Sequence, residues 1–142
     1  MSCELCGRDG GELVWRDAHC RVVLVDEPGY PGYCRAIWQA HVAEMSELDG
    51  RQQLHLMRVV LEVESGLREW LRPDKINLAS LGNLVPHLHW HVIPRFRDDP
   101  HFPNPIWGPR LRDGAARGVD FATGKRLLAA RLAGLAASRP AV

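Results

Sequence analysis

Three histidines alternate with apolar residues in the segment His87–Pro94, which reads His-Leu-His-Trp-His-Val-Ile-Pro. Successive side chains of a strand point to opposite faces, so His87, His89 and His91 are predicted to line one face, roughly 6.5–7 Å apart. The intervening Leu, Trp and Val are then free to enter a core. Imidazole is the side chain that titrates nearest neutral pH, so such a row is suited to chemistry rather than to packing.

Two kinds of chemistry fit a row of imidazoles. Neighbouring imidazoles could bind a metal ion, although three successive strand positions span too far for one ion without ligands from other elements. Alternatively, a neutral imidazole could attack phosphorus to form a transient phosphoramidate, while a neighbouring imidazolium stabilises the phosphoryl oxygens. The plain alternative is an exposed polar face, for which Thr, Lys or Glu would serve as well.

A second motif stands at the N-terminus, where Cys3-x-x-Cys6 is followed by Gly7. Two thiolates at this spacing can bind one Zn²⁺, which needs two further ligands to complete a tetrahedron. The sequence has no second such pair, so the partners would be histidines from elsewhere, with His41 and His87 as candidates. A pair of reduced surface cysteines or a redox motif is the alternative.

Two polar residues beside the predicted strands could contact a ligand. Asp26 follows an apolar strand, where its carboxylate could accept hydrogen bonds from a sugar diol, but an Asp that opens a turn before Pro28 explains it equally well. Asn83 follows Gly82 before the histidine segment and could bind a phosphate or simply shape the turn. Spacing does not decide between these alternatives.

The composition fits a single globular domain. The chain has 142 residues and a formal net charge of +1, so nothing global indicates binding to nucleic acid or to a membrane surface. No apolar run approaches the length of a membrane span, and the N-terminus lacks a signal-peptide pattern. We therefore expect a cytoplasmic protein, whose four cysteines are thiols or metal ligands rather than disulfides.

The hydrophobic pattern predicts an α+β domain with strands joined by short turns and one long helix packed on the sheet. The helix extends from about residue 48 to 71, where apolar residues recur at three- and four-residue steps before Pro73. The predicted strands are Glu12–Trp15, Cys20–Val25, Tyr33–Trp38, Lys75–Leu81 and the histidine segment.

The chain changes character after Pro94. The segment 98–109 contains four prolines and is predicted to be a loop or an extended arm. Residues 109–142 carry seven Lys/Arg and two Asp/Glu, and Phe121–Ala137 is predicted to form a short basic helix. We therefore divide the chain into a domain at 1–108 and a basic C-terminal extension at 109–142.

The segment from His87 to Ile93 resembles the signature of the histidine-triad (HIT) superfamily of nucleotide hydrolases and transferases, which is three histidines alternating with apolar residues. The resemblance covers roughly residues 1–108. It includes the strand that ends in Asp26, the Pro31-Gly32 turn, His41-Val42 followed by Leu48, and the Gly82-Asn83 approach to the triad.

The resemblance implies a fold and a reaction. The fold is a five-stranded antiparallel sheet with one long helix and additional short helices, usually paired as a homodimer. The reaction is hydrolysis of a nucleoside phosphate or dinucleoside polyphosphate at the α-phosphate through a covalent nucleotidyl-histidine. His89 would be the nucleophile, and His91 would contact the α-phosphate oxygens or the leaving group.

The resemblance also implies binding residues and a metal. Asp26 would hold the ribose hydroxyls, and Asn83 and Asn77 would lie on the phosphate or leaving-group side. Zinc-containing members bind the metal with residues that correspond here to Cys3, Cys6, His41 and His87. Four protein ligands leave no open coordination position, so this Zn²⁺ would be structural.

The chain departs from the superfamily pattern at several positions. Leu84 stands where Ser or Thr is common, Tyr33 where His is usual, and Trp38-Gln39-Ala40 replaces a Pro-plus-basic pattern. These changes bear on the leaving group. A nucleotide-binding module with slight catalysis, a nucleotidyl transferase to an acceptor other than water, and a catalytic metal site in an unrelated fold are the alternative functions.

Overall fold

The computed structural model describes residues 2–137, so the last five residues of the predicted extension lie outside the described part. One sheet contains five strands. They are β1 (Glu12–Arg16), β2 (Cys20–Leu24), β3 (Cys34–Trp38), β4 (Lys75–Ala79) and β5 (His89–Arg95). The helices are α1 (Glu4–Gly7), α2 (Gly50–Leu71) and α3 (Phe121–Ala137).

The strands are antiparallel throughout and follow the order β1-β2-β3-β5-β4. The histidine strand β5 therefore lies between β3 and the edge strand β4. Residues opposite each other in such a pair share a face, so Ile37 accompanies His89, and Arg35 accompanies His91. We call the face of the sheet that carries His89, His91 and Arg35 the histidine face.

The long helix α2 has clear start and stop signals. The Asp49 carboxylate accepts a hydrogen bond from the Gln52 N–H at 2.9 Å, and the Gln52 side chain accepts one from the Asp49 N–H at 2.9 Å. This reciprocal pair satisfies two N–H groups that a helix start leaves free. Arg72 ends the helix in a left-handed conformation, immediately before Pro73.

The face of the sheet opposite the histidines, which we call the apolar face, packs against α2. The helix buries Leu56, Val59, Val60, Val63 and Leu67. These side chains join apolar residues of β2, β3 and β5 in one core cluster. Removal of this apolar area from water supplies the main driving force for folding.

The C-terminal helix α3 completes this core. Leu128 and Leu132 are fully buried in the same cluster. The two helices approach closely where Gly66 faces Leu128 and Gly124 faces Trp70: a Cβ on either glycine would stand only 2.6 Å or 2.3 Å from those side chains. The extension therefore packs as part of the domain core in the described residues.

Short segments cover the histidine face, whereas the long helices α2 and α3 cover the apolar face. Leu5 of α1 packs against Val23 and Ile37. Tyr30 and Tyr33, from the loop after β2, pack against Ile93. Loops can carry polar groups to a ligand more freely than a closed apolar core can.

The predicted fold class and five-stranded sheet are confirmed, and the C-terminal helix begins at Phe121 as predicted. The short helix α1 agrees with the additional short helices that the resemblance implies, but the hydrophobic pattern did not predict its position. The histidine strand begins at His89, so His87 precedes it and is not a regular strand residue. No helix in the described part of the chain combines the length and apolar character that crossing a membrane requires.

Candidate functional site

The ring of His89 is held by its own chain. Its Nδ1 lies 2.6 Å from the backbone oxygen of His87, and a carbonyl can only accept, so Nδ1 carries the proton. The side chain is 7% exposed. A neutral ring in this tautomer has its lone pair on Nε2, which no hydrogen bond within residues 2–137 occupies.

The ring of His91 stands beside it at a centroid distance of 4.9 Å. Its Nδ1 lies 2.5 Å from the hydroxyl of the buried Tyr33. Trp107, half-exposed, packs edge-on against the same imidazole at a centroid distance of 4.9 Å. His91 is therefore contacted by His89, Tyr33 and Trp107 together.

Both imidazoles are kept neutral by their surroundings. Burial lowers the pKa of His89, and the charge of Arg35 adds to this effect, while the hydrogen bond to His87 opposes it. Burial, His89 and Arg35 lower the pKa of His91 to about 4. A neutral imidazole retains the lone pair that a nucleophile or a metal ligand needs.

Arg35 itself has few partners. One terminal N–H donates to the Gly10 oxygen at 3.1 Å, and the buried Nε has no hydrogen-bond partner in the described residues. No carboxylate pairs with this guanidinium within residues 2–137. An unpaired cation beside two neutral imidazoles is a suitable partner for an anionic ligand.

The second half of the site gathers four potential metal ligands. The Nδ1 of His87 lies 3.3 Å from the Cys3 sulfur, 3.5 Å from the Cys6 sulfur and 3.2 Å from the Nδ1 of His41. The Cys6 sulfur lies 3.5 Å from the same His41 nitrogen. The four side chains could hold a metal ion.

The opposite nitrogen of His87 orients the ring for this role. Its Nε2 lies 2.6 Å from the backbone oxygen of Trp38, so it donates its proton there and leaves Nδ1 for the cluster. His87 is completely buried. The same short segment thus directs the His87 ring to the cysteines and leaves the Nε2 of His89 without a protein partner in the described residues.

Arg21 of β2 fastens the cysteine-bearing segment to the sheet. Its buried guanidinium donates to the backbone oxygens of Leu5, Arg8 and Asp9 at 2.7–2.9 Å. It also bonds the side chain of Gln39. The N-terminal segment therefore has a hydrogen-bonded anchor that is independent of any metal.

A buried ion pair anchors the loop that carries Trp107. Arg95 and Asp99 are joined at 2.7 Å and 3.0 Å, and Arg95 also donates to the Asn104 oxygen at 2.7 Å. Burial raises the pKa of Asp99, but hydrogen bonds from Arg95 and from backbone N–H groups outweigh it and lower this pKa to about 2. The carboxylate is therefore charged at neutral pH.

The other residues predicted to contact the ligand form no hydrogen bond with either of these imidazoles within residues 2–137. Asp26 lines a cavity of about 710 Å³ together with Arg117 and Phe121, and none of the three histidines lines it. Asn77 accepts a hydrogen bond from Arg95 at 2.8 Å. Asn83 is exposed in the turn before the histidines. Their predicted roles remain predictions.

A separate group of Asp17, Cys20 and His55 lies at the β1–β2 turn. The Asp17–His55 distance of 2.7 Å is that of a hydrogen-bonded pair, and the same carboxylate accepts the backbone N–H groups of His19 and Cys20. Burial and the Asp17 charge raise the pKa of the Cys20 thiol. These contacts give the group a structural role in closing the turn.

The sequence pattern does not predict four groups that contribute to the site, namely Arg21, Arg35, Trp107 and the hydroxyl of Tyr33. Alternation along β2 and β3 could have pointed to the two arginines, since each occupies an inward position where a charge is unusual. No local sequence feature indicates that Trp107 belongs to the site, because a proline-rich loop brings this residue back to the sheet.

Comparison with known proteins matches residues 9–98, more than half of the chain, to the HIT domain. AP-4-A phosphorylase from Mycobacterium tuberculosis is 27% identical over 107 residues, which are 71% of this chain and 55% of that protein. The chain thus spans about half the length of that relative. A HIT-like protein from Saccharolobus solfataricus is 25% identical over 99 residues, covering 66% of this chain and 71% of its own.

Solved structures agree with this match. A histidine triad protein from Marinobacter aquaeolei VT8 has a TM-score of 0.74 and 28% identity over 95% of this chain and 97% of its own. A Zn-bound histidine triad family protein from Mycobacterium smegmatis has a TM-score of 0.63 over 98% and 99% of the two chains, and its 23% identity supports the fold alone. The alternating histidines, the sheet that presents them and the matched residues together show that the chain belongs to the HIT domain family.

Proposed function

We propose that the protein cleaves a nucleoside phosphate or dinucleoside polyphosphate at the α-phosphorus through a covalent intermediate on His89. The observation that carries this proposal is the hydrogen bond from His89 Nδ1 to the His87 oxygen. It fixes the tautomer in which Nε2 carries the lone pair, and burial keeps the ring neutral by lowering its pKa. A positioned, neutral imidazole is an effective nucleophile toward phosphorus.

The reaction has two displacements. In the first, His89 Nε2 forms a bond to the α-phosphorus, the bond from phosphorus to the leaving group breaks, and the leaving group takes up a proton. In the second, an acceptor oxygen attacks the same phosphorus, the nitrogen–phosphorus bond breaks, and the acceptor loses its proton. With water as the acceptor the product is a nucleoside monophosphate.

Positive charge and hydrogen-bond donors beside the nucleophile support this chemistry. The phosphoryl oxygens gain charge in the transition state, and groups already oriented toward that charge lower the barrier. Arg35 lies on this face opposite His91 and has no carboxylate partner within residues 2–137. His91 contributes its imidazole next to His89.

The acceptor in the second displacement is open to test. The M. tuberculosis relative is named as a phosphorylase. An enzyme of that kind transfers the nucleotidyl group to phosphate instead of water, and the transferase alternative therefore has a specific observation in its favour. We propose hydrolysis as the main reaction, and phosphate as the acceptor to compare with water.

The decisive experiment compares the wild type with His89→Ala on a panel of dinucleoside polyphosphates, adenosine phosphoramidates and nucleotide sugars. We expect the variant to lose turnover, while its affinity for AMP stays within about tenfold, roughly 1.4 kcal/mol. Mass spectrometry of acid-quenched wild-type enzyme should detect one nucleotidyl group on a peptide that contains His89. Added inorganic phosphate should change the product only if phosphate is the acceptor.

His19→Ala provides the matched control, because this exposed histidine stacks on the ring of Trp38, which belongs to the core of the apolar face. It should retain turnover. Turnover by His89→Ala at the wild-type rate would remove the proposed nucleophile. Tight nucleotide binding without turnover in the wild type would instead identify a binding module.

We also propose that Cys3, Cys6, His41 and His87 bind a structural Zn²⁺. Tetrahedral zinc with Zn–S bonds of about 2.3 Å and Zn–N bonds of about 2.0 Å places sulfur and nitrogen ligands about 3.5 Å apart and two nitrogens about 3.3 Å apart. The distances of 3.2–3.5 Å among these side chains fit that requirement. Four protein ligands leave no open position, so the ion would stabilise the fold and take no part in cleavage.

Metal analysis of purified protein tests this site. We expect one zinc per chain in the wild type and a loss of zinc with a lower Tm in Cys6→Ser. Cys34→Ser is the matched control, since Cys34 is a buried core thiol outside the cluster and its replacement should leave the zinc in place. Wild-type protein without zinc would overturn the assignment.

We also propose that the protein is a homodimer. A homodimer would cover the exposed Leu78, Leu81 and Leu84 on and after the edge strand β4. Light scattering tests the dimer. The four unpaired cysteines are consistent with a cytoplasmic location, and the net charge of +1 gives no reason to expect nucleic-acid binding. Asp26 would hold the ribose, with Asn77 and Asn83 on the phosphate or leaving-group side.

A further inference from the structure

The hydroxyl of Tyr33 is in hydrogen-bond contact with His91. The oxygen lies 2.5 Å from His91 Nδ1, and the two rings stand at 64° with centroids 5.8 Å apart. Tyr33 is 2% exposed. The contact is therefore shielded from water, and water cannot replace it without opening the cluster.

The direction of this hydrogen bond follows from the available partners. If His91 Nδ1 donated its proton, the buried phenol would need another acceptor for its own O–H, and the residues from 2 to 137 offer none. An unsatisfied buried donor costs about 1–3 kcal/mol. Burial also raises the pKa of Tyr33, so the phenol keeps its proton. Tyr33 therefore donates, and His91 Nδ1 accepts.

The neighbouring histidine has the opposite arrangement. His89 Nδ1 donates to the His87 oxygen and leaves Nε2 with a lone pair. A neutral His91 that accepts at Nδ1 carries its proton on Nε2. Two imidazoles with centroids 4.9 Å apart thus have different tautomers, one a nucleophile and the other a donor.

We propose that Tyr33 is a positioning residue that holds His91 in the Nε2–H tautomer, so that a nitrogen–hydrogen donor faces the phosphoryl group beside the lone pair of His89. The inference deepens the proposed function and rests on it for the identity of the ligand. The tautomer itself is a property of the free protein. It can be measured without any turnover.

Long-range proton–nitrogen NMR spectra of protein labelled with ¹⁵N-histidine test the tautomer directly. We expect His91 of the wild type to show an unprotonated Nδ1 and a protonated Nε2, and His89 to show the reverse. A variant at each histidine assigns the signals. In Tyr33→Phe the His91 signals should move toward a mixture of the two tautomers, while the His89 signals remain unchanged.

Tyr30 provides a matched control for the kinetics. It is also 2% exposed, belongs to the same cluster, and places its hydroxyl 2.5 Å from a histidine, but that histidine is His101. We expect Tyr33→Phe to lower kcat by about tenfold with KM within about twofold, as for an interaction made in the transition state. Tyr30→Phe should leave kcat within about twofold of the wild type.

Two outcomes would overturn the proposal. One is a wild-type His91 that carries its proton on Nδ1, which the spectrum of the unmodified protein decides even if Tyr33→Phe fails to fold. The other is an equal loss of kcat in the two phenylalanine variants, which would mean general loosening of the cluster. Turnover that survives His89→Ala would instead refute the proposed function and leave the measured tautomer standing.

Discussion

The apolar face and the histidine face of this sheet are built from the same five strands by different means. On the apolar face, α2 and α3 close one continuous core in which Leu56, Val60 and Leu128 are fully buried. On the histidine face, short segments cover a set of polar side chains, and buried hydrogen bonds hold these segments in place. Strand alternation allows this division, because each strand supplies both faces.

The two faces have different roles, one in stability and the other in chemistry. A core of close-packed apolar side chains tolerates no ligand, whereas the histidine face keeps neutral imidazoles and an unpaired Arg35 at the cost of buried polar groups. We therefore expect substitutions on the apolar face to change the free energy of unfolding, and substitutions on the histidine face to change turnover. The Arg95–Asp99 pair is the exception, since it lies on the histidine side and has a structural role.

Asp99→Asn should cause the largest loss of stability, although Asp99 lies on the histidine side of the sheet. It leaves the buried Arg95 without its charge partner, so we expect a loss of about 3–5 kcal/mol in the free energy of unfolding. Chemical denaturation measures it. Asp98→Asn is the control, because that carboxylate is 53% exposed and its pair with Arg117 should contribute little. Equal stability of the two variants would contradict the proposed anchor.

Leu128→Ala tests whether the C-terminal helix belongs to the core of the apolar face. Removal of a fully buried leucine should cost about 2–5 kcal/mol, with kcat unchanged in the folded protein. The same substitution at Leu61, which is 47% exposed, serves as the control and should be much milder. A Leu128→Ala variant as stable as the wild type would show that α3 is dispensable.

Arg35→Gln tests whether a residue of the histidine face contributes to turnover and not to stability. Loss of a charged donor from the site should lower kcat/KM by about tenfold to a hundredfold, since hydrogen bonds to charged groups are worth about 1.5–3 kcal/mol. The Tm should change little. Arg16→Gln, at a side chain that is 54% exposed on β1, is the control. Unchanged kinetics in Arg35→Gln would exclude this guanidinium from substrate binding.

Lowering the pH should produce the smallest loss of stability among these tests. The pKa of Asp99 is about 2 in the folded protein, below its ordinary value of 3.8. A lowered folded pKa stabilises the fold above the unfolded value, and this contribution is lost as the pH falls from about 4 to about 2. Denaturation midpoints at several pH values should show this loss in the wild type. In Asp99→Asn that part of the pH dependence should disappear.

The local spacing of apolar residues was enough to predict most of the fold. The three- and four-residue spacing of apolar residues predicted the long helix, and alternation predicted the strands, because both patterns follow from the geometry of a single element. The helix α1 has only four residues, too few for any periodicity. The predicted row of three histidines differs at His87, which precedes the strand because it turns to the cysteines.

The residue pattern alone established which side chains were available for chemistry and that His89 and His91 share one face of β5, since side-chain alternation needs no knowledge of the rest of the chain. Which nitrogen each histidine presents depends on contacts that exist only in the folded chain. That choice depends on the Trp38 oxygen for His87, the His87 oxygen for His89 and the Tyr33 hydroxyl for His91. Two of these three partners are distant in sequence, and a hydrogen bond between distant residues exists only once the strands have paired.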